Sequence, residues 1–277
     1  TLPTAEANED LIVSMMVGRD LALAFPPRAD STGPIVLEVR NFNAPGFENV
    51  SFSVRAGEIV GLGGITGSGQ QAIVRALYGL ARAEGSVLIN GQPAAAADPS
   101  TAIQNGIVYL PSDRRGEGMF LPHSVSENIV LPHVAAWSRL GILDLHRERR
   151  VVREQIAGLN IKTPSAAQTV GLLSGGNQQK VAFARWLLSS PRVVIFDEPT
   201  QGVDVGAKLE IYAIIRSLAA RGIAIIVVSS DVLELIGLSD RILTIANGRL
   251  VDEVAGAEAT EERIVGSAVG LRDKQAG

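Results

Sequence analysis

Leu173-Ser174-Gly175-Gly176-Asn177-Gln178-Gln179-Lys180 runs directly into Val181-Ala182-Phe183-Ala184-Arg185-Trp186-Leu187-Leu188. A serine and two glycines stand ahead of an apolar-periodic stretch, the pattern of a capped helix start. There the unpaired backbone N–H groups and the helix dipole face an anion. An isolated Ser-Gly-Gly turn would mean little. A few residues on, however, Val193-Val194-Ile195-Phe196 is an apolar strand closed by Asp197 and Glu198. A buried parallel strand ending in two carboxylates can deliver one to a Mg²⁺ shell and set the other to polarise an attacking water. The plain alternative for that segment is a strand ending in a capping acid.

Working towards the N-terminus, Glu58 to Gly61 enters an apolar strand. It is followed by Gly64-Ile65-Thr66-Gly67-Ser68-Gly69-Gln70-Gln71 and a helical run from Gln71 to Leu80. Strand, glycine-rich turn and helix is the order of a phosphate-binding unit. The glycine spacing is that of a Walker A loop, in which successive backbone N–H groups curl around phosphates. Where that motif calls for Lys and Ser/Thr, Gln70 and Gln71 stand instead. Lysine brings charge to the β- and γ-phosphates and the hydroxyl holds Mg²⁺. Two unit charges about 4 Å apart are worth roughly 4 kcal/mol at an effective dielectric of about 20, so the missing ammonium is a large loss. Taken alone, the loop reads equally well as a turn with no phosphate role.

The remaining pattern is α/β. Val36 to Val39 and Val50 to Val54 alternate like half-buried strands around a Pro-Gly turn. Ile107 to Leu110 and Ile223 to Val228 read as strands, and Leu209 to Ala219 as a helix. Short alternating segments run to Val254, and a last helix is predicted after an N-cap at Thr260, with Glu261 and Glu262 in its first turn. Strands separated by helices argue for a mainly parallel sheet covered on both faces. Residues 113–172 are mixed and charged, with Arg147, Glu148, Arg149 and Arg150 opening a helix. Leu11, Ile12, Met15 and Met16 recur at helical spacing, and Phe25 to Pro34 reads as a linker.

The 277 residues are 46% hydrophobic but only 4% aromatic, so the core is built mainly from Ala, Val, Ile and Leu. With 29 acidic and 25 basic residues the formal charge is −4, which does not point to a nucleic-acid partner. Absence of cysteine excludes disulfides and thiolate metal sites. No apolar run reaches bilayer-spanning length, and the acidic start is not a secretion signal. The first residue is Thr, and we expect the sequence to be part of a longer polypeptide. His123, His133 and His146 lack metal-ligand spacing and are expected at the surface or as caps. Arg147, Arg149 and Arg150 are read as a solvated helix face, and Trp137 and Trp186 as packing residues.

The order of glycine loop, Ser-Gly-Gly helix and acidic strand resembles the ABC ATPase family from about Ile35 to Val254. Leu159-Asn160-Ile161-Lys162-Thr163-Pro164-Ser165 and Glu198-Pro199-Thr200-Gln201-Gly202-Val203-Asp204-Val205-Gly206-Ala207-Lys208 are similar to the second cassette of ribose/galactose/xylose-type sugar importers. Met15 to Arg19 resembles the junction after the first cassette. The resemblance implies a P-loop NTPase (RecA-like) core with an antiparallel β subdomain and a helical subdomain at about 113–182. Around this core, residues 1–34 would be a junction and 256–277 a C-terminal helix and tail.

By position, Gly64, Gly67, Ser68, Gly69, Gln70 and Gln71 would frame the phosphate loop, and Asp197 would hold the metal. Glu198 would act on water. The signature residues Ser174, Gly175, Gly176 and Gln178 would serve a nucleotide on the opposing cassette, and Asp204 would lie in the loop crossing the interface. The family's switch histidine falls on Ser230 and its Q-loop glutamine near Ser112. No stacking aromatic is obvious before Glu58, and Phe47 is a poor candidate. ATP and Mg²⁺ are the implied cofactors. The implied partners are a first cassette, membrane permease subunits and, indirectly, a periplasmic sugar-binding protein. The implied location is peripheral, on the cytoplasmic face of a bacterial inner membrane. The resemblance further implies weak or absent hydrolysis by the chain alone, with the segment after Ser112 and the insert up to Leu172 meeting a membrane-domain helix.

Overall fold

The computed structural model describes residues 25–28, 33–95, 97–139 and 142–270. The junction pattern at Leu11 to Met16 and the tail from 271 onwards lie outside them.

Two sheets share one core. Strands β1 (Ile35–Ala44), β2 (Phe47–Arg55), β4 (Glu84–Ile89) and β5 (Gln92–Pro93) form an antiparallel sheet in the order β2-β1-β4-β5. The larger sheet has the order β12-β11-β3-β10-β9-β6. It comprises β3 (Ile59–Gly63), β6 (Ile107–Leu110), β9 (Val193–Asp197), β10 (Ala224–Val228), β11 (Arg241–Ala246) and β12 (Arg249–Ala255). All its pairings are parallel except β11 with β12.

The near-continuous apolar strands are explained by cover on both faces. Ala224, Ile226 and Val228 join Val193 and Ile195 in a core shared with the antiparallel sheet and α1 (Gln70–Leu77). Ile225 and Val227 point the other way, with Val194 and Phe196, into a core closed by helices. Those helices include α3 (Val125–Val130), α6 (Gly175–Leu187), α7 (Val205–Ala220), α8 (Val232–Leu238) and α9 (Glu261–Ala268); a short α2 (Pro99–Gln104) precedes β6. Phe183 of α6 packs on Phe196 of β9 with ring centroids 5.0 Å apart.

The expected elements are present, with shifted ends. The first strand continues to Ala44, and the helix of the glycine loop stops at Leu77 because Gly79 (φ 80°) turns the chain. Thr260 caps α9 as expected, its hydroxyl accepting from Arg263 N. Between β6 and α6 lie α3, with a reciprocal Ser124–Glu127 capping box, and α4 (Val134–Trp137). The hairpin of β7 (Ser138–Arg139) and β8 (Ile142–Leu143) follows, then α5 (Leu145–Gly158), capped by Asp144.

Two expectations in this region need correcting. His133 is buried, its Nε2 2.8 Å from the Arg185 carbonyl, and burial holds its pKa below the usual histidine value. Arg147 is not merely solvated: its guanidinium lies 4.9 Å over the Trp137 ring.

Close approach of α8 to β3 demands glycine at position 61. A Cβ there would lie 2.5 Å from Ser239 Oγ and 3.1 Å from Leu235 Cδ2. We expect Gly61→Ala to cost about 1–3 kcal/mol through overpacking, read as a lower urea midpoint. An unchanged midpoint would show that α8 is free to recede.

Candidate functional site

Strand order brings the motifs together. β10 is inserted between β3 and β9, so the carboxyl ends of β3, β10, β9 and β6 open on one edge of the sheet. Ligands of open α/β sheets bind at such an edge. Four loops arrive there: 64–69 after β3, Glu198 after β9, Ser229 and Ser230 after β10, and 111–118 after β6.

The glycine loop is folded as a cradle. Gly64, Gly67 and Gly69 all have positive φ (142°, 85° and 116°), a region open to glycine at little cost. Gly69 is the N-cap of α1 and has no side chain to cap it, so the first-turn N–H groups at 70–72 have no intrahelical acceptor. With Gly46, Thr66, Glu198, Val228, Ser229 and Ser230 this loop lines a cleft of about 200 Å³. No lysine or arginine is among the lining residues. The main chain of Ser68 is fully engaged: its N–H donates to Ile65 O of the loop at 3.0 Å, and its carbonyl accepts from Gly248 N, in the turn between β11 and β12, at 2.8 Å.

The two glutamines turn inward. Gln70 is buried, and its Nε2 donates to the Ile65 carbonyl of its own loop at 3.3 Å. Gln71 Nε2 reaches Asp197 Oδ1 at 3.3 Å, and Tyr109 donates its hydroxyl to Asp197 Oδ2 at 2.7 Å. Ser112 also lies beside this carboxylate. Burial raises the Asp197 pKa, while Tyr109, Gln71 and Ser112 oppose the rise; burial and the neighbouring carboxylate push the Tyr109 phenol far above its ordinary value. Tyr109 was not foreseen, although a lone phenol in the apolar run Ile107-Val108-Tyr109-Leu110 was the available signal.

Such donors do not fit a resident Mg²⁺, which needs several oxygen ligands in octahedral array. Both Asp197 oxygens already accept hydrogen bonds, from Gln71 and from Tyr109. Among the described residues no group of three or more His, Cys, Asp or Glu could hold a metal. A polyphosphate fits better, through the backbone donors of the loop and the helix start.

Glu198 is also committed. It sits at φ 51° and accepts from Ser230 N at 2.7 Å on Oε1 and from Ser230 Oγ at 3.1 Å on Oε2. Burial raises its pKa, opposed by those bonds. Phe47 is buried against Phe42, with centroids 5.3 Å apart, and offers no stacking face.

The Ser174 turn lies in a different cleft of about 250 Å³, lined among others by Lys162, Ser174, Gly176, Asn177, Asp204 and Gly206. Ser174 is the N-cap of α6, yet its hydroxyl caps no backbone N–H. Asp204 joins this cleft rather than the glycine-loop cleft, and it caps α7 by accepting from Ala207 N at 3.0 Å. Gly176 is needed for packing on α7: a Cβ would lie 2.5 Å from Ala207 Cβ. Gly175 faces Arg114, whose Nη2 would lie 2.8 Å from a Cβ there. Arg114 donates to Gln201 O at 2.7 Å and Gly202 O at 3.2 Å, tying the loop after β6 to the loop after β9; sequence reading missed this tie. Gln178 is turned into the interior, donating to Val170 O and Leu173 O at 3.2 Å each, so it supports the turn from beneath.

A family model described as ABC transporter matches residues 47–201. The ribose import ATP-binding protein RbsA of Bacillus subtilis (strain 168) is 44% identical over 274 residues, 98% of this chain and 56% of that protein. Ribose import ATP-binding protein RbsA 1 of Rubrobacter xylanophilus (strain DSM 9941 / JCM 11954 / NBRC 16129 / PRD-1) is 44% identical over 268 residues, 96% of this chain and 54% of that protein. The chain thus spans about half the length of these curated relatives. Among solved structures, MJ1267, an ATP-binding cassette of an ABC transporter, superposes with a TM-score of 0.74 at 20% identity, covering 86% of this chain and 99% of that one. The cassette MJ0796, in a dimeric post-hydrolysis state bound to ADP and Pi, gives 0.68 at 22% identity, covering 79% and 98%. At those identities the likeness is one of fold.

A carboxylate whose folded pKa is raised costs stability above the ordinary carboxylate range, and the cost fades as pH falls through the folded value. Asp197→Asn is therefore expected to raise the melting temperature at pH 7–8, with the gain shrinking towards acid. A gain that persists unchanged at acid pH, or a loss at neutral pH, would contradict this.

Proposed function

The chain belongs to the ABC transporter family, and we propose that it is the second ATP-binding cassette of a longer sugar-importing polypeptide. It acts chiefly by presenting its Ser174 turn to a nucleotide held by the first cassette. Relatives about twice this length, with names that describe ribose import ATP-binding proteins, support this reading. One observation carries it: the two clefts differ in what they hold ready. Ser174 and the first turn of α6 keep donors free of capping bonds, whereas the glycine-loop cleft has no cationic side chain among the described residues and its glutamines bond internally.

In this reading two cassettes meet head to tail, each glycine loop facing the other's Ser174-type turn. This chain then completes a productive site on its partner. Its own cleft takes the phosphates of ATP through N–H groups at the start of α1, without the charge-assisted bonds a lysine would make. The partners are membrane permease subunits and, through them, a periplasmic sugar-binding protein. The chain sits peripherally at the cytoplasmic face of the inner membrane; no helix among the described residues is long and apolar enough to cross it. Phe120, Leu131 and Val134, exposed near the 113–118 turn and along the helical insert, are the proposed seat of a membrane-domain helix.

A second reading, binding without cleavage in the chain's own cleft, is favoured by the hold of Ser230 on both oxygens of Glu198. A general base must be free to accept a proton from water.

ATP turnover by the chain alone is expected at background; turnover comparable to an intact cassette would overturn the proposal. Gln70→Lys is expected to tighten ATP about ten- to a hundredfold in calorimetric titration, the value of a hydrogen bond to a charged group. No gain would mean that the missing ammonium does not limit affinity.

A further inference from the structure

We propose that Asn177 is a positioning residue that aims the Ser174 hydroxyl proton out of the protein, towards the phosphate the turn is offered to. The inference rests on the reading of Ser174 given above. It begins with the amide orientation, which the surroundings decide. The backbone N–H of Lys162 points at one end of the Asn177 side chain at 2.7 Å. An N–H can only donate, so that end is the oxygen, Oδ1. The other end, Nδ2, therefore faces Ser174 Oγ, 2.9 Å away, and donates to it.

This turns the hydroxyl hydrogen away from Asn177. Asn177 fills one lone pair of Oγ, and the hydroxyl hydrogen points elsewhere. Among the described residues no acceptor takes it, and Ser174 Oγ is not spent capping α6. The usual capping box has the third helical residue reach back to the backbone N–H of the cap. Here the residue at that position, Asn177, reaches back to the cap's hydroxyl instead. The serine is thereby a donor facing the cleft, beside the first-turn N–H groups of α6. A donor is what an anionic phosphate oxygen requires.

The anchor at the far end is firm. Lys180, one turn along α6, is buried; its Nζ donates to Asn160 O at 2.9 Å and pairs with Glu210 of α7. Asn177 and Lys180 thus clamp the 160–162 segment to the same face of α6. The Lys162 N–H is held where it must be to set the amide.

Substituting Asn177→Asp keeps the shape and reverses the logic. An ionised carboxylate only accepts, so the Ser174 proton is drawn inward to it. Asn177→Ala leaves the hydroxyl free to rotate. In the full-length two-cassette protein assembled with its membrane subunits, we expect Asn177→Asp to lower kcat/KM for ATP about ten- to a hundredfold, to the level of Ser174→Ala. Asn177→Ala should lose less than Asn177→Asp. The double variant Ser174→Ala/Asn177→Asp should be no worse than Ser174→Ala, because Asn177 acts only through the serine. If Ser174→Ala lowers activity but Asn177→Asp does not, if losses multiply in the double variant, or if Ala is the worse substitution, the positioning role is overturned. If Ser174→Ala itself changes nothing, the cassette reading beneath it is what fails.

Discussion

An ionised carboxylate in the interior must find hydrogens or give up its charge, and Asp197 imposes that demand on the whole carboxyl edge of the sheet. It stands at the end of β9, 2% exposed, with apolar strands on either side. Three neutral polar side chains gather at it: Tyr109 from β6 and Gln71 from α1, both donating, and Ser112 from the loop after β6. Each comes from a different segment, so one negative group draws together the glycine-loop helix, the edge strand and the loop that leads to the helical insert. The arrangement is well suited to satisfying a bare carboxylate and poorly suited to holding a cation.

The side chains of the chain's two clefts are held differently. At the glycine loop the side chains have closed on one another: Gln70 on its own loop, Gln71 on Asp197, Ser230 on Glu198. At the Ser174 turn the serine hydroxyl caps no backbone N–H, with Gln178 and Asn177 supporting the turn from beneath and beside. Arg114 adjoins both the turn and the loop after β9, touching Gly175 while holding the carbonyls of Gln201 and Gly202. The loop after β6 is therefore in contact with the Asp197 cluster through Ser112 and with the Ser174 turn through Arg114.

The parallel sheet was legible because its strands are short apolar runs between helical periods. Its motif glycines and acids were legible because they sit at strand and helix ends, where sequence order already implies position. The residues that settle the chemistry were harder to read. Tyr109 is 88 positions from Asp197, Lys162 is 15 from Asn177, and Arg114 is 87 from Gln201; those pairings exist only once β6 lies beside β9 and the insert folds back on α6. Gln178 illustrates the opposite error. Its place in a recognisable motif suggested the cleft, but the fourth position of a helix whose start faces outward turns back to the core. His133 erred the same way, since a charged and irregular insert gave no sign that a histidine would be buried at its centre.

The lead-in segment shows that the folding unit begins ahead of the first strand. Phe25 stacks on Tyr212 with centroids 4.9 Å apart and packs against Gly237, and Arg28 donates to Ser239 O at 3.0 Å and to Ile236 O, closing the end of α8. Sequence reading placed these residues in a linker ending at Pro34. Excising the domain at Ile35 would strip that lid, bare an aromatic face on α7 and leave helix carbonyls without donors. Anyone trimming this molecule to its smallest stable form should keep Phe25 and Arg28.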